Sequence, residues 1–123
     1  MAIAFDAATG SAEFTDDITF THTPVGTPRG ALLLVAYFGT ADDEIAVPTY
    51  GGTAMTEVAL SPVLQTIGET LAVHAFFLGA SIPAGPQSVF IDCSATVGTK
   101  RAHVITYTAA DDTSIQDTSV LNS

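Results

Sequence analysis

The sequence predicts an all-β protein, a sandwich or barrel of seven or eight short strands. Three observations carry this. Short runs rich in Val, Ile, Thr, Tyr and Phe recur along the chain, with turn residues between them. No stretch makes a convincing helix. A Gly-Gly pair, Gly51 and Gly52, stands between two apolar-alternating runs, a strong signal for a tight hairpin because both central residues can take positive φ.

Taken in order, residues 3–14 read as an extended arm or edge strand, broken near Thr9-Gly10-Ser11. Residues 17–22 alternate, with Ile18, Phe20 and His22 on one face and Thr19 and Thr21 on the other, the pattern of a half-buried strand. Two prolines and two glycines make residues 23–30 a loop.

Next comes Gly-Ala-Leu-Leu-Leu-Val-Ala-Tyr-Phe-Gly, residues 30–39, an apolar run closed at both ends by glycine. A membrane-spanning helix needs about 20 apolar residues, and this run is shorter. Val35, Tyr37 and Phe38 favour a strand over a short buried helix. A strand apolar on both faces is expected to be covered on both, in the middle of a sheet and against a second layer.

Residues 40–44 form an acidic turn, and residues 45–49 a strand with Pro48 near its end. Residues 54–60 are the return strand of the Gly51-Gly52 hairpin, and residues 61–69 a loop. Leu71, Val73, Ala75 and Phe77 alternate with Ala72, His74 and Phe76 in a second strand expected to be buried on both faces. A Pro- and Gly-rich turn at 79–86, a strand at 87–94, a turn at 95–100 and a strand at 101–108 follow. The tail, 109–123, is polar, with one short strand at most, near 119–121.

The 123 residues are expected to make a single domain, 1–123, with 1–15 as an N-terminal arm or edge strand. That length suffices for a core without metals or disulfides. With 47% apolar and only 13% charged residues, some apolar surface must stay exposed. Exposed apolar area in a small domain often marks a partner surface, although a sandwich with short polar turns needs none.

The net charge of −10, with only Arg29, Lys100 and Arg101 basic, argues against nucleic acid and against anionic membranes as partners. Residues 1–6 show neither the basic start nor the apolar run of a signal peptide, so the protein is expected to act in a cytoplasm or in an assembly built there.

Cys93 is the sole cysteine and reads as a buried, inert thiol on the face of Val89 and Ile91. His22, His74 and His103 have no metal-ligand spacing, and His74 and His103 read as core or half-buried residues. The acidic groups Asp16-Asp17, Asp42-Asp43-Glu44 and Asp111-Asp112 lie in turns, where solvation explains them better than calcium does. Neither a Gly-x-Ser-x-Gly elbow nor a P-loop nor a dinucleotide fingerprint is present. The sequence therefore offers no catalytic residue, no metal ligand and no cofactor site, and the protein is expected not to be an enzyme.

Residues 47–58, Val-Pro-Thr-Tyr-Gly-Gly-Thr-Ala-Met-Thr-Glu-Val, resemble a hairpin of small β-sandwich domains in tailed-bacteriophage virion proteins. Those domains tend to run Val-x-Tyr-Gly-Gly-x-x-Met/Leu-Thr-x-Val. The buried run after Pro28 and Arg29 is similar to their early strand. The stretch from Leu71 through Pro83-Ala84-Gly85 to Val89, and residues 102–109 followed by Asp111-Asp112-Thr113, are similar to later parts of the same domains.

The resemblance implies a two-sheet antiparallel β-sandwich, jelly-roll-like, with no catalytic residues. It implies a capsid decoration (cement) protein on the outer surface of the major capsid lattice, or an appended tail module, assembled in the host cytoplasm and resident in the virion. Expected partners are the major capsid protein or other virion subunits, and further copies of the chain in a homo-oligomer. The alternative is a carbohydrate-binding or host-adhesion module of a tail or head fibre, against which the absence of Trp and the three Tyr argue mildly. Ile3, Phe5 and Phe14 of the arm are the candidate partner contacts, by addition of a strand to an open edge.

Overall fold

The computed structural model describes residues 3–39, 45–59, 61–67, 69–79, 82–93 and 98–108. The acidic turn at 40–44, the Asp111-Asp112 pair and the short strand near 119–121 lie outside the described residues.

The strands are β1 (Ala4–Gly10), β2 (Ile18–His22), β3 (Gly30–Gly39), β4 (Thr49–Tyr50), β5 (Thr53–Ala54), β6 (Thr56–Glu57), β7 (Val63–Ile67), β8 (Glu69–Leu78), β9 (Gln87–Ile91) and β10 (Thr99–Thr108). No described residue is helical. One sheet runs β1-β10-β3-β8-β6, with β7 also paired to β8; the other runs β2-β9-β4-β5. The strand pairs are antiparallel. The chain crosses between sheets from β1 to β2, β2 to β3 and β3 to β4, and its first and last described strands lie side by side. That interleaving is the jelly-roll pattern, and the protein is an all-β, two-sheet β-sandwich.

The period of two along each strand decides what enters the core. Ala31, Leu33, Val35 and Tyr37 of β3 are buried, as are Ala72 and Phe76 of β8 and Ala102 and Val104 of β10. Tyr50, Val89 and Ile91 join the same apolar cluster from the second sheet. Each large side chain so buried is worth about 1.5–3 kcal/mol relative to exposure. Cys93 belongs to this cluster, as its register with Val89 and Ile91 predicts.

The structure revises several expectations. Residues 61–69 contain β7 rather than a loop. Pro62 and Gly68 bracket the segment, but Val63 to Ile67 are strand formers, and the edge of the long β8 offers them a ladder. The return strand of the hairpin is split at Met55. Its N–H donates to the Pro48 carbonyl at 2.9 Å and its side chain is buried, so β5 stays in one sheet and β6 joins the other.

The N-terminal arm is β1, the edge strand of its own sheet, paired with β10 from Ala4↔Thr108 to Gly10↔His103. His103 is exposed rather than half-buried: it lies against Gly10, where an added Cβ would stand 2.7 Å from its Cε1. Among the described residues, β3 and β8 are buried on the inner face and only partly covered on the outer one, where cover on both was expected. Phe38 is 54% exposed and Leu71 41%, while Leu32, Leu34, Val73, Ala75 and Phe77 are half-buried.

Gly51 and Gly52 are the central residues of a two-residue turn closed by the Tyr50↔Thr53 pair, with φ of +56° and +80°. Both positive values fit the type I′ turn that matches strand twist. The two positions differ in space. A Cβ on Gly51 would stand 2.5 Å from Gln87 Oε1, whose amide is held by Ala84 O, while a Cβ on Gly52 meets nothing within 4 Å. Gly52→Ala is therefore expected to destabilise by about 1 kcal/mol through φ alone, and Gly51→Ala by more. Urea unfolding of both variants checks this; equal losses would mean that Gln87 gives way freely.

Candidate functional site

Two features stand out: a buried polar chain between the sheets, and an apolar face on the outside of the larger sheet.

The polar chain starts at His22, the last residue of β2, which has no exposed surface. Its Nδ1 lies 2.8 Å from Thr9 Oγ1 of β1, and its Nε2 lies 3.0 Å from Thr106 Oγ1 of β10. The Thr106 hydroxyl donates to Asp6 Oδ2 at 2.8 Å, and Asp6 Oδ1 accepts the Gly26 N–H at 2.7 Å. Because Thr106 spends its proton on Asp6, it accepts from His22 Nε2–H, and Nδ1 then accepts from Thr9. The imidazole is neutral in this arrangement. Burial pushes its pKa below the ordinary 6.5, opposed in part by the Asp6 carboxylate.

A hydroxyl donating to an imidazole is half of a nucleophile–base pair. Here Thr9 pairs with Val104, whose side chain faces the core, and the Thr9 hydroxyl is spent on a histidine with no exposed surface. The chain ties the two sheets together rather than presenting a nucleophile. Tyr50 lies beside it, its ring centroid 6.1 Å from that of His22. Burial, with Asp6 adding, raises the Tyr50 hydroxyl to about 12.

His74 is buried and stacked on Phe76, with Nδ1 3.4 Å from Glu57 Oε1. Ser61 Oγ donates to the same carboxylate oxygen at 3.0 Å. Among the described residues no group of three or more His, Cys, Asp or Glu could hold a metal ion.

Of the candidate contacts, Ile3 (56%) and Phe5 (66%) are exposed, whereas Phe14 is buried at 8% in the core cluster. Phe14 bridges to Lys100 through a pair of backbone hydrogen bonds, which turns its ring inward, so it is not a surface contact.

The apolar face is built by the outward positions of β10, β3, β8 and β7. Register places Ile105, Leu32 and Phe77 in one row, His103, Leu34 and Ala75 in the next, and Arg101, Ala36, Val73 and Val63 in a third. Thr99, Phe38, Leu71 and Gln65 make a fourth. Between these last rows lies a concavity of about 190 Å³ lined by Ala36, Phe38, Leu71, Thr99 and Arg101, with Tyr37 and Lys100 beneath. Arg101 pairs with Glu13 at 3.3 Å on the exposed rim. The apolar run of residues 30–39 pointed to this face, but not to the exposure of Phe38 and Ala36 on it.

Compared with protein-family models, with curated proteins and with solved structures, the chain finds no match in any of the three.

Proposed function

We propose that this protein is a non-enzymatic structural component of a tailed-phage virion, a decoration protein on the outer surface of the capsid. The observation that carries the reading is the apolar outer face of the larger sheet on a jelly-roll sandwich. Contiguous apolar surface of this kind marks a protein-contact site, and jelly rolls recur among capsid domains. The fold by itself does not fix a function. The virion assignment rests on the resemblance of the hairpin at 47–58 and of the segments after it.

The sandwich offers two kinds of contact to an assembly. One is the broad apolar face. The other is the exposed pair Ile3 and Phe5 at the start of the edge strand β1. Electron microscopy of virions assembled with and without this chain tests the assignment. Its loss is expected to remove density from the outer surface of the head. Heads of unchanged density, or density lost from the tail instead, would overturn it.

A further inference from the structure

We infer that the sandwich holds a built-in site for one ordered water molecule, which bridges the Tyr50 hydroxyl to the Asp6 carboxylate. The inference concerns the free chain and uses neither the apolar face nor the virion assignment.

Tyr50 points to the site. It has no exposed surface, and among the described residues its hydroxyl has no hydrogen-bond partner. A hydroxyl buried in that way costs stability, and native interiors pair such groups with protein or with ordered water. Tyr50 is anchored in the second sheet by its pairing with Val89 and Thr53, and its side chain belongs to the core cluster between the sheets. The His22 ring stands 6.1 Å away, centroid to centroid, tilted by 56°. The hydroxyl therefore ends beside the polar chain that runs through His22.

Within that chain Asp6 is the acceptor that remains. Thr106 and Thr9 have committed their protons, to Asp6 and to His22, and both ring nitrogens of His22 are bonded. Asp6 accepts one hydrogen bond on each oxygen, from Thr106 and from the Gly26 N–H. A carboxylate offers about four acceptor positions, so about two are left. The register of β1 shifts between Phe5 and Ala7, a bulge at Asp6. Bulges re-aim a side chain, and this one turns the carboxylate inward to Thr106. Its charge reaches Tyr50: burial chiefly, and Asp6 with it, raise the hydroxyl. No direct hydrogen bond joins the two.

A water between them meets both needs. It accepts the Tyr50 proton and donates one of its own to Asp6. Two polar partners are enough to hold a buried water, and a bridge of this kind is nearly as good as a direct hydrogen bond. The bridge ties β4 of the second sheet to β1 of the first, beside the links that His22 makes to Thr9 and Thr106.

Two measurements test this. A high-resolution crystal structure of the full chain is expected to show one water within hydrogen-bonding distance of both Tyr50 Oη and an Asp6 oxygen. A gap without water, a direct Tyr50–Asp6 bond, or another protein group on the hydroxyl would overturn the proposal. Urea unfolding of Tyr50→Phe supplies a sign. The substitution removes the hydroxyl and keeps the ring, so the core stays filled. With the bridge in place, loss of a satisfied hydrogen bond is expected to raise the unfolding constant about fivefold. Removing a hydroxyl that has no partner relieves a buried polar group instead, so an unchanged or lowered unfolding constant would overturn the proposal too.

Discussion

A chain lacking residues 2–12 is expected to lose cooperative folding. The deletion removes β1, which pairs with β10 from Ala4 to Gly10 with one irregularity at Asp6. It also removes partners the core cannot replace. Thr9 and Asp6 are two of the groups that satisfy His22 and Thr106, both fully buried. Ser11 closes the end of the strand: its N–H donates to the Ala102 carbonyl at 2.8 Å, and its Oγ accepts the Ala102 N–H at 2.9 Å. A buried polar group left without its partner costs about 1–3 kcal/mol. Several at once, with the lost strand pairing, approach the whole stability of a domain this size, about 5–15 kcal/mol. Thermal unfolding followed by far-UV circular dichroism checks this. A truncated chain that melts in one sharp transition near the wild-type temperature would show that β1 is an accessory, and would return the segment to the role of a docking arm.

The fate of β1 shows what the sequence could and could not reveal. Its residues carry both an edge-strand and an arm reading, because Ile3 and Phe5 are apolar and Thr9-Gly10-Ser11 interrupts the run. The choice is made by residues about a hundred positions away, Thr106 to Asp6 and His103 over Gly10. No local pattern encodes such pairings.

The hairpin at Gly51-Gly52 is the opposite case. Its turn type follows from two adjacent glycines, and the structure gives both positive φ. The inward halves of β3 and β8 were also legible, since alternation sorts Leu33, Val35 and Phe76 from their neighbours. Their outward halves were legible as apolar. Hydropathy alone does not tell whether the second layer comes from the same chain, which is why the exposure of Phe38 and Leu71 emerged only in the structure. His22 shared its face with Ile18 and Phe20 in the sequence. Its role as a clamp depends on Thr9, Thr106 and Asp6 converging from two other strands.

Replacing His22 with Ala is expected to destabilise the fold by about 3 kcal/mol or more, through a cavity at a fully buried site and a Thr9 hydroxyl left without its acceptor. The same residue gives stability a pH dependence whose sign is fixed. His22 has a folded pKa below the ordinary 6.5 because burial disfavours its charged form, with Asp6 opposing. Above 6.5 the ring is neutral in both folded and unfolded chains, and its contribution is fully present. As pH falls below 6.5 the unfolded chain takes up a proton that the folded chain still refuses, so the unfolded state gains and stability declines. The decline ends once pH passes the depressed folded value, where both states are protonated. Urea unfolding of the wild type from pH 8 downward should show stability dropping below 6.5. His22→Gln, which keeps polar atoms but has no proton to gain, should lack that component, so subtracting its profile leaves the contribution of His22 clear of the carboxylates. Parallel profiles for the two proteins would mean that the ring takes its proton as readily folded as unfolded, and the neutral clamp between the sheets would have to be given up.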